Sequence, residues 1–434
     1  MAPSTEGSDG AIKAVIFDLD GTIIDTESLV LEVVRCVIES HGKTLTAEAA
    51  TQALGMRPAE AWQAVATTLG IRATGQELYE QSEPLLRDRW HEAPLLPGVA
   101  RLIAHLSMHA IPLALATSTP RATLERKLST KDAMRAAFQP HLCICGDDVE
   151  NGKPAPDCFT AVAKRLGLPP SACLVIEDAP AGVTAATAAG MRVVAVPSIL
   201  QKGGRPSELY PQPNPAACAG CIEILPSLLE FRPEQYGLPP FEDRIGETIP
   251  MHPVLHLRGT VVPGFGRGSR ELGIPTANLD ADSLRGSLAE AVTGIFAGWA
   301  TLPGAYPGQV FPMCMSIGWN PVFANREKTA EPWILHDFGA GANFCGQEIR
   351  LIVCAFIRPE ANFESLQALI DRIHRDAEVS KEALAHPAYQ QQKENPFLLP
   401  AAAAADGGAA RHAAAGAAGS GEAAAAAAGG EQQQ

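Results

Sequence analysis

The alternation of apolar and polar positions changes character along this chain. Short unbroken apolar runs at 14–17, 113–116 and 174–176, each ending in polar residues, predict strands buried on both faces, as in a parallel sheet. Between residues 26 and 96 the period lengthens. Leu29, Val33, Val34, Val37 and Ile38 form one helical face, and the stretch from Trp62 to Leu69 continues in the same style. Residues 222–231 read as the last helix of this first region. Beyond about residue 246, apolar segments at 254–262, 294–301, 312–317, 333–338 and 348–357, broken by Gly and Pro, predict an antiparallel barrel. An amphipathic helix over 363–384 would close one end of it.

Length and punctuation turn these patterns into domains. A chain of 434 residues exceeds the size at which one core keeps growing. The expected division is a disordered N-terminus over 1–10, an α/β domain over 11–231 with a helical insertion at about 26–96, a proline-stiffened linker over 232–246, a β-barrel domain over 247–398, and a low-complexity Ala/Gly tail over 399–434. A net charge of −14 argues against a nucleic-acid surface, which needs clustered Lys and Arg. No apolar run is long enough to span a bilayer, so no membrane partner is expected. The small, acidic start has neither a signal-peptide nor a transit-peptide pattern; the cytoplasm is the default expectation, with an organelle left open. The ten cysteines show no regular framework, and the C-x-x-C at Cys218 and Cys221 lacks the second pair or histidines of a zinc site. Reduced thiols are expected.

The chemistry-bearing residues sit at the ends of the buried strands. Asp18-Leu19-Asp20-Gly21-Thr22 follows the first, where open α/β sheets bind ligands. Thr117 and Ser118 follow the second, Lys153 stands in a Pro-rich turn before a helix, and Glu177-Asp178 follow another strand. Acid, hydroxyl, lysine and acids, in that order, resemble the four motifs of the haloacid-dehalogenase-like phosphatases. The resemblance implies that Asp18 attacks phosphorus, that Asp20 is the general acid/base, and that Thr117, Ser118 and Lys153 hold phosphate oxygens. Asp18, Asp178 and the Asp20 carbonyl would then ligate Mg2+. Ser118 stands where many relatives carry Asn. The helical insertion is similar to the cap of that superfamily, and caps choose substrates. Gly55-Met56-Arg57 is a candidate substrate loop, an Arg being able to pair with phosphate, or else a solvated helix end. Trp62 and Trp90 could stack on a ring of the substrate, with core packing the better expectation.

A second site is written between Val262 and Leu279. Gly264, Gly266 and Gly268, interleaved with Arg267, Ser269 and Arg270, give a backbone able to fold against a polyphosphate. In Pro275-Thr276-Ala277-Asn278, extended backbone would turn the Thr276 hydroxyl and the Asn278 amide oxygen to one side, toward a hard cation. Together with Ser316 to Pro321 and Ile357-Arg358-Pro359-Glu360, these motifs resemble the riboflavin kinases. The resemblance implies Mg2+ at Thr276 and Asn278, ATP phosphates on the glycine loop with Thr276, and Glu331 as the catalytic carboxylate. Trp319, Phe323, Trp333 and Phe344 are available to line a flavin pocket or to fill the barrel, and none is assigned.

Both halves, phosphatase first, resemble the plant-type bifunctional riboflavin kinase/FMN hydrolase family. That resemblance implies ATP-dependent phosphorylation of riboflavin and Mg2+-dependent hydrolysis of FMN, with riboflavin, FMN and ATP as the small-molecule partners. A second reading keeps the kinase and gives the first domain another phosphate ester, such as a sugar phosphate. A third is a flavin-binding scaffold with dead sites, against which the intact Asp18, Asp20, Lys153, Asp178, Asn278 and Glu331 weigh.

Overall fold

The computed structural model describes residues 11–46, 48–49, 56–196, 220–263, 276–280, 293–319, 328–339 and 342–399. The expected N-terminal and Ala/Gly tails lie outside them, Leu399 excepted. So do Gly55, Gly264, Gly266, Arg267, Gly268, Ser269, Arg270 and Phe323.

The first half is a parallel sheet between helices. Its strands are β1 (Ala14–Phe17), β2 (Leu113–Ala116), β3 (Cys143–Ile144), β4 (Cys173–Glu177), β5 (Arg192–Ala195) and β6 (Gly220–Ile224), in the order β3-β2-β1-β4-β5-β6. Every residue of β1, β2 and β4 is buried, which is why they read as continuous apolar runs. Order and direction together put β1 and β4 side by side, pairing Phe17 with Ile176. The segment read as a final helix at 222–231 is instead the edge strand β6 followed by a single 3-10 turn at Leu228–Glu230. Pairing with β5 overrides an apolar spacing that helix and strand could both satisfy.

The insertion is helical, as expected. It contains α1 (Glu27–Ser40), α2 (Pro58–Leu69) and α3 (Gly75–Arg87), packed around Leu29, Val33, Ile38, Trp62, Val65 and Leu78. At the α3 start Thr74 and Glu77 satisfy each other's backbone N–H groups in a capping box. The helices that flank the sheet are α4 (Val99–Met108), α5 (Arg121–Lys127), α6 (Asp132–Ala137), α7 (Asp157–Leu166) and α8 (Pro180–Ala188).

The second half is an antiparallel sheet rolled into a nearly closed barrel. Its strands are β7 (Ile249–Val262), β8 (Asn278–Leu279), β9 (Gly294–Thr301), β10 (Phe311–Trp319), β11 (Lys328–Ile334) and β12 (Glu348–Arg358), ordered β11-β10-β9-β12-β7-β8. The Ala277 amide donates to the Pro332 carbonyl at 2.9 Å and brings the two ends of the order together. Helix α9 (Leu366–Leu384) packs Val379, Ala383 and Leu384 against Ala297, Cys314 and Ile352 on the outside of the barrel. The strand expected at 333–338 lies earlier, at Lys328–Ile334, so Glu331 is inside a strand and not at its start.

The connector packs on the first half. Tyr236 and Leu238 belong to its core. The Arg101 guanidinium of α4 donates to both carboxylate oxygens of Asp243, at 2.7 and 2.6 Å, and lies 3.5 Å over the Phe241 ring. His105 pairs with the Pro239 carbonyl at 2.8 Å. No helix among the described residues is long and apolar enough to cross a membrane.

Candidate active sites

The ends of β1 and β4 deliver Asp18, Glu177 and Asp178 into one place, with ligand-type oxygens of all three within 4.8 Å of one another. Lys153, from the turn before α7, is buried among them. Its Nζ donates to Asp18 Oδ1 at 2.5 Å, to Glu177 Oε1 at 2.7 Å and to the Ala116 carbonyl at 3.0 Å. Burial pushes the Asp18 carboxyl up to about 7 despite the opposing Lys153 ammonium. Asp178 is raised well above the usual carboxylate range by burial and then by Glu177 and Asp18. Burial works against the Lys153 charge, but its two acidic partners outweigh it and hold it protonated. Three acids around one ammonium leave negative charge uncompensated, and all-oxygen donors suit a small hard divalent cation. Asp18 and Asp178 therefore fit Mg2+, while both Glu177 oxygens are occupied, Oε2 accepting from the Ala179 amide at 2.6 Å.

Two glycines make room for this cluster. Gly21 has φ +82°, and a Cβ there would lie 2.2 Å from Asp178 Oδ2. A Cβ on Gly182 would lie 1.6 Å from Glu177 Oε1. Thr117 follows β2; its hydroxyl oxygen accepts from the Thr119 amide at 3.1 Å, which leaves the hydroxyl proton free to point elsewhere. Gly146 packs so closely under Ser118 that a Cβ would meet the Ser118 carbonyl at 2.2 Å.

Asp20 is held by residues that no sequence motif singled out. Its Oδ1 accepts from Thr26 Oγ1 at 2.9 Å and Lys127 Nζ at 2.6 Å, and its Oδ2 accepts from Thr119 Oγ1 at 2.5 Å. Burial would raise this carboxyl, but the Lys127 charge and these hydrogen bonds bring it below its ordinary value. The other candidates separate clearly. Arg57 donates to the carbonyls of Val149 at 2.5 Å and Glu150 at 2.9 Å, tying the cap to the loop ahead of Lys153. Trp62 is buried with its Nε1 on Ser82 Oγ at 3.0 Å, and Trp90 is buried beneath Lys127, so both fill the cap core.

In the barrel, alternation decides which residues share a face. Ala277, Leu279, Met315, Ile317, Ala330 and Ile334 line the barrel core. Asn278 on β8, Ser316 on β10 and Glu331 on β11 are alternate neighbours of these residues and point away from the core; Ser316 pairs directly with Glu331, the Ala277–Pro332 bond brings β8 beside β11, and Thr276 lies just ahead of β8. Burial raises the Glu331 carboxyl above its ordinary value, opposed by a hydrogen bond from Thr329. Trp333, on the same face as Glu331, packs edge-on against His374 of α9 at 5.6 Å. Phe344 belongs to an aromatic cluster with Tyr306 and Phe338. Trp319 ends β10, and its side chain lies outside the described residues.

Family models place both halves. Residues 12–190 match the haloacid dehalogenase-like hydrolases and residues 252–384 the riboflavin kinases. The chain is thus a haloacid dehalogenase-like hydrolase joined to a riboflavin kinase module. It is 42% identical over 386 residues to the bifunctional riboflavin kinase/FMN phosphatase of Arabidopsis thaliana, covering 89% of this chain and 97% of that protein. The chain belongs to that bifunctional family. The barrel half alone is 42% identical over 140 residues to riboflavin kinase of Homo sapiens, covering 32% of this chain and 87% of that protein. The first half is 35% identical over 231 residues to a probable pseudouridine-5'-phosphatase of Drosophila melanogaster, covering 52% of this chain and 95% of that protein.

Proposed function

We propose that this protein phosphorylates riboflavin with ATP at the barrel site and hydrolyses FMN to riboflavin and phosphate at the sheet site. The observation that carries the reading is the continuity of likeness to one bifunctional relative across both sites, in the same order. In the hydrolase site, a carboxylate oxygen of Asp18 forms the new bond to phosphorus as the ester bond breaks, and Asp20, after taking up a proton from solvent, gives it to the leaving ribityl oxygen. Asp20 then takes a proton from the water that releases phosphate from Asp18. Lys153 and the Thr117 and Ser118 hydroxyls neutralise and orient the phosphate oxygens. A Mg2+ held by Asp18, Asp178 and the Asp20 carbonyl would supply the charge neutralisation that crowded acids and a phosphate together require.

In the kinase site, Glu331 accepts the proton of the riboflavin 5'-hydroxyl, and that oxygen takes the γ-phosphoryl group of ATP, leaving ADP. Thr276 and Asn278 would hold Mg2+ against the phosphates, and the glycine loop would bind them. The likeness of the first half to a phosphatase of another ester supports a second reading, in which its substrate is a sugar phosphate or related ester. One experiment separates the readings. The full chain is given riboflavin with Mg-ATP, and separately FMN and a panel of sugar phosphates. Glu331→Gln is expected to abolish FMN formation alone, and Asp18→Asn phosphate release alone. Preferential turnover of a sugar phosphate over FMN would replace the hydrolase substrate, and wild-type activity in either variant would remove that residue from its role.

A further inference from the structure

Lys127 is a buried cation outside the four phosphatase motifs. At the end of α5 it is 4% exposed. Its Nζ lies 2.6 Å from Asp20 Oδ1, 2.9 Å from Thr119 Oγ1 and 4.3 Å above the Trp90 ring. An ammonium stripped of water needs compensation, and one carboxylate, one hydroxyl and one aromatic face supply it here. The same arrangement fixes the carboxylate. Thr119 Oγ1 accepts from Lys127 while donating to Asp20 Oδ2, and Thr26 donates to Oδ1, so both oxygens are held and rotation about the Asp20 side chain is blocked.

We propose that Lys127 is the positioning residue for Asp20: seated on Trp90 and bridged by Thr119, its ammonium sets the orientation from which Asp20, once it has taken up a proton from solvent, passes it to the leaving oxygen. The proposal rests on the phosphatase reading above. Proton transfer demands hydrogen-bond reach and alignment, so a carboxylate free to rotate loses rate where the leaving oxygen needs a proton and little where it does not. An alkyl ester such as FMN expels a strongly basic alkoxide; p-nitrophenyl phosphate expels a stable phenolate. The ratio kcat/KM covers only the steps up to departure of that group, which isolates this proton transfer from the later attack of water.

The test is kcat/KM for both esters in the full chain, with riboflavin kinase activity of the same preparation as the internal control of folding. Lys127→Met is expected to lose about 10- to 100-fold on FMN and less than about threefold on p-nitrophenyl phosphate, a part of the range general acid catalysis supplies. Lys127→Arg recovers part of the loss, and adding Lys127→Met to Asp20→Asn changes nothing further. Equal losses on both esters, an undiminished rate on FMN, or a full additional loss in the Asp20→Asn background would overturn the proposal. Where Lys127→Met lacks kinase activity, Thr119→Val takes its place in the comparison: a loss confined to FMN supports the proposal, and equal losses or none overturn it. Wild-type protein that hydrolyses neither ester would overturn the phosphatase reading instead.

Discussion

Position 182 lacks a side chain because the carboxylate of Glu177 occupies the space where one would stand. Glu177 in turn fixes Lys153, so Gly182→Ala should displace the lysine from Asp18. Phosphate release is expected to fall about 10- to 100-fold, the cost of a shift on the order of 1 Å in a reacting group, with riboflavin kinase activity unchanged. Glu331 gives a pH prediction of definite sign. Its carboxyl is raised by burial, and a base must be ionised, so kinase kcat/KM should decline as pH falls through a value above the ordinary 4.5. A pH–rate profile with no acid limb above that value would remove Glu331 as the base. The acids and hydroxyls of the first site were legible because each follows a buried strand, and the lysine because it stands in a Pro-rich turn before a helix, all in a fixed order. Thr119 and Lys127 were not, because their partner Asp20 is about a hundred residues away and only the sheet order brings them to it.

Elements were read well where periodicity ran long and poorly where pairing decided. The fully buried β1, β2 and β4 and the cap helices announced themselves through uninterrupted or regularly spaced apolar residues. β6 did not, since Ile222, Ile224 and Leu225 suit either period and an edge strand takes its form from its neighbour. The early start of β11 was hidden by Lys328 and Glu331, polar residues that interrupt the apolar run by which a strand is recognised. Helix α9 was anticipated as amphipathic, but its packed face includes a buried acid. Asp376 accepts from Arg358 at 2.6 Å and from Arg372 at 2.9 Å, joining the helix to the end of β12. Asp376→Ala would leave Arg358 partly buried and unpaired, and it is expected to cost about 3 kcal/mol in a urea melt. A loss below about 1 kcal/mol would show that the pair contributes little to docking α9.

At the scale of the whole molecule, the stretch expected to act as a linker behaves as part of the first half. The Arg101–Asp243 pair has its guanidinium side chain only 4% exposed and its carboxylate partly open to water. Burial would raise the Asp243 carboxyl, but Arg101 lowers it below its ordinary value, so the pair stabilises the fold above the usual aspartate range and loses that contribution as pH falls through the lowered value. Arg101→Ala is expected to cost about 2 kcal/mol, read by thermal or urea melting, through loss of a two-pronged charged hydrogen bond. From Asp243 to the first barrel strand the chain has only residues 244–248 to spare, and within them Thr248 Oγ1 already meets the Tyr389 hydroxyl at 3.0 Å. Anyone wishing to separate the halves therefore has a narrow seam. A kinase fragment begun upstream would carry Phe241 and Leu238 as orphaned apolar baggage, and a phosphatase fragment stopped at 231 would forfeit Tyr236 and uncover its own interior; the scissors belong between 244 and 248.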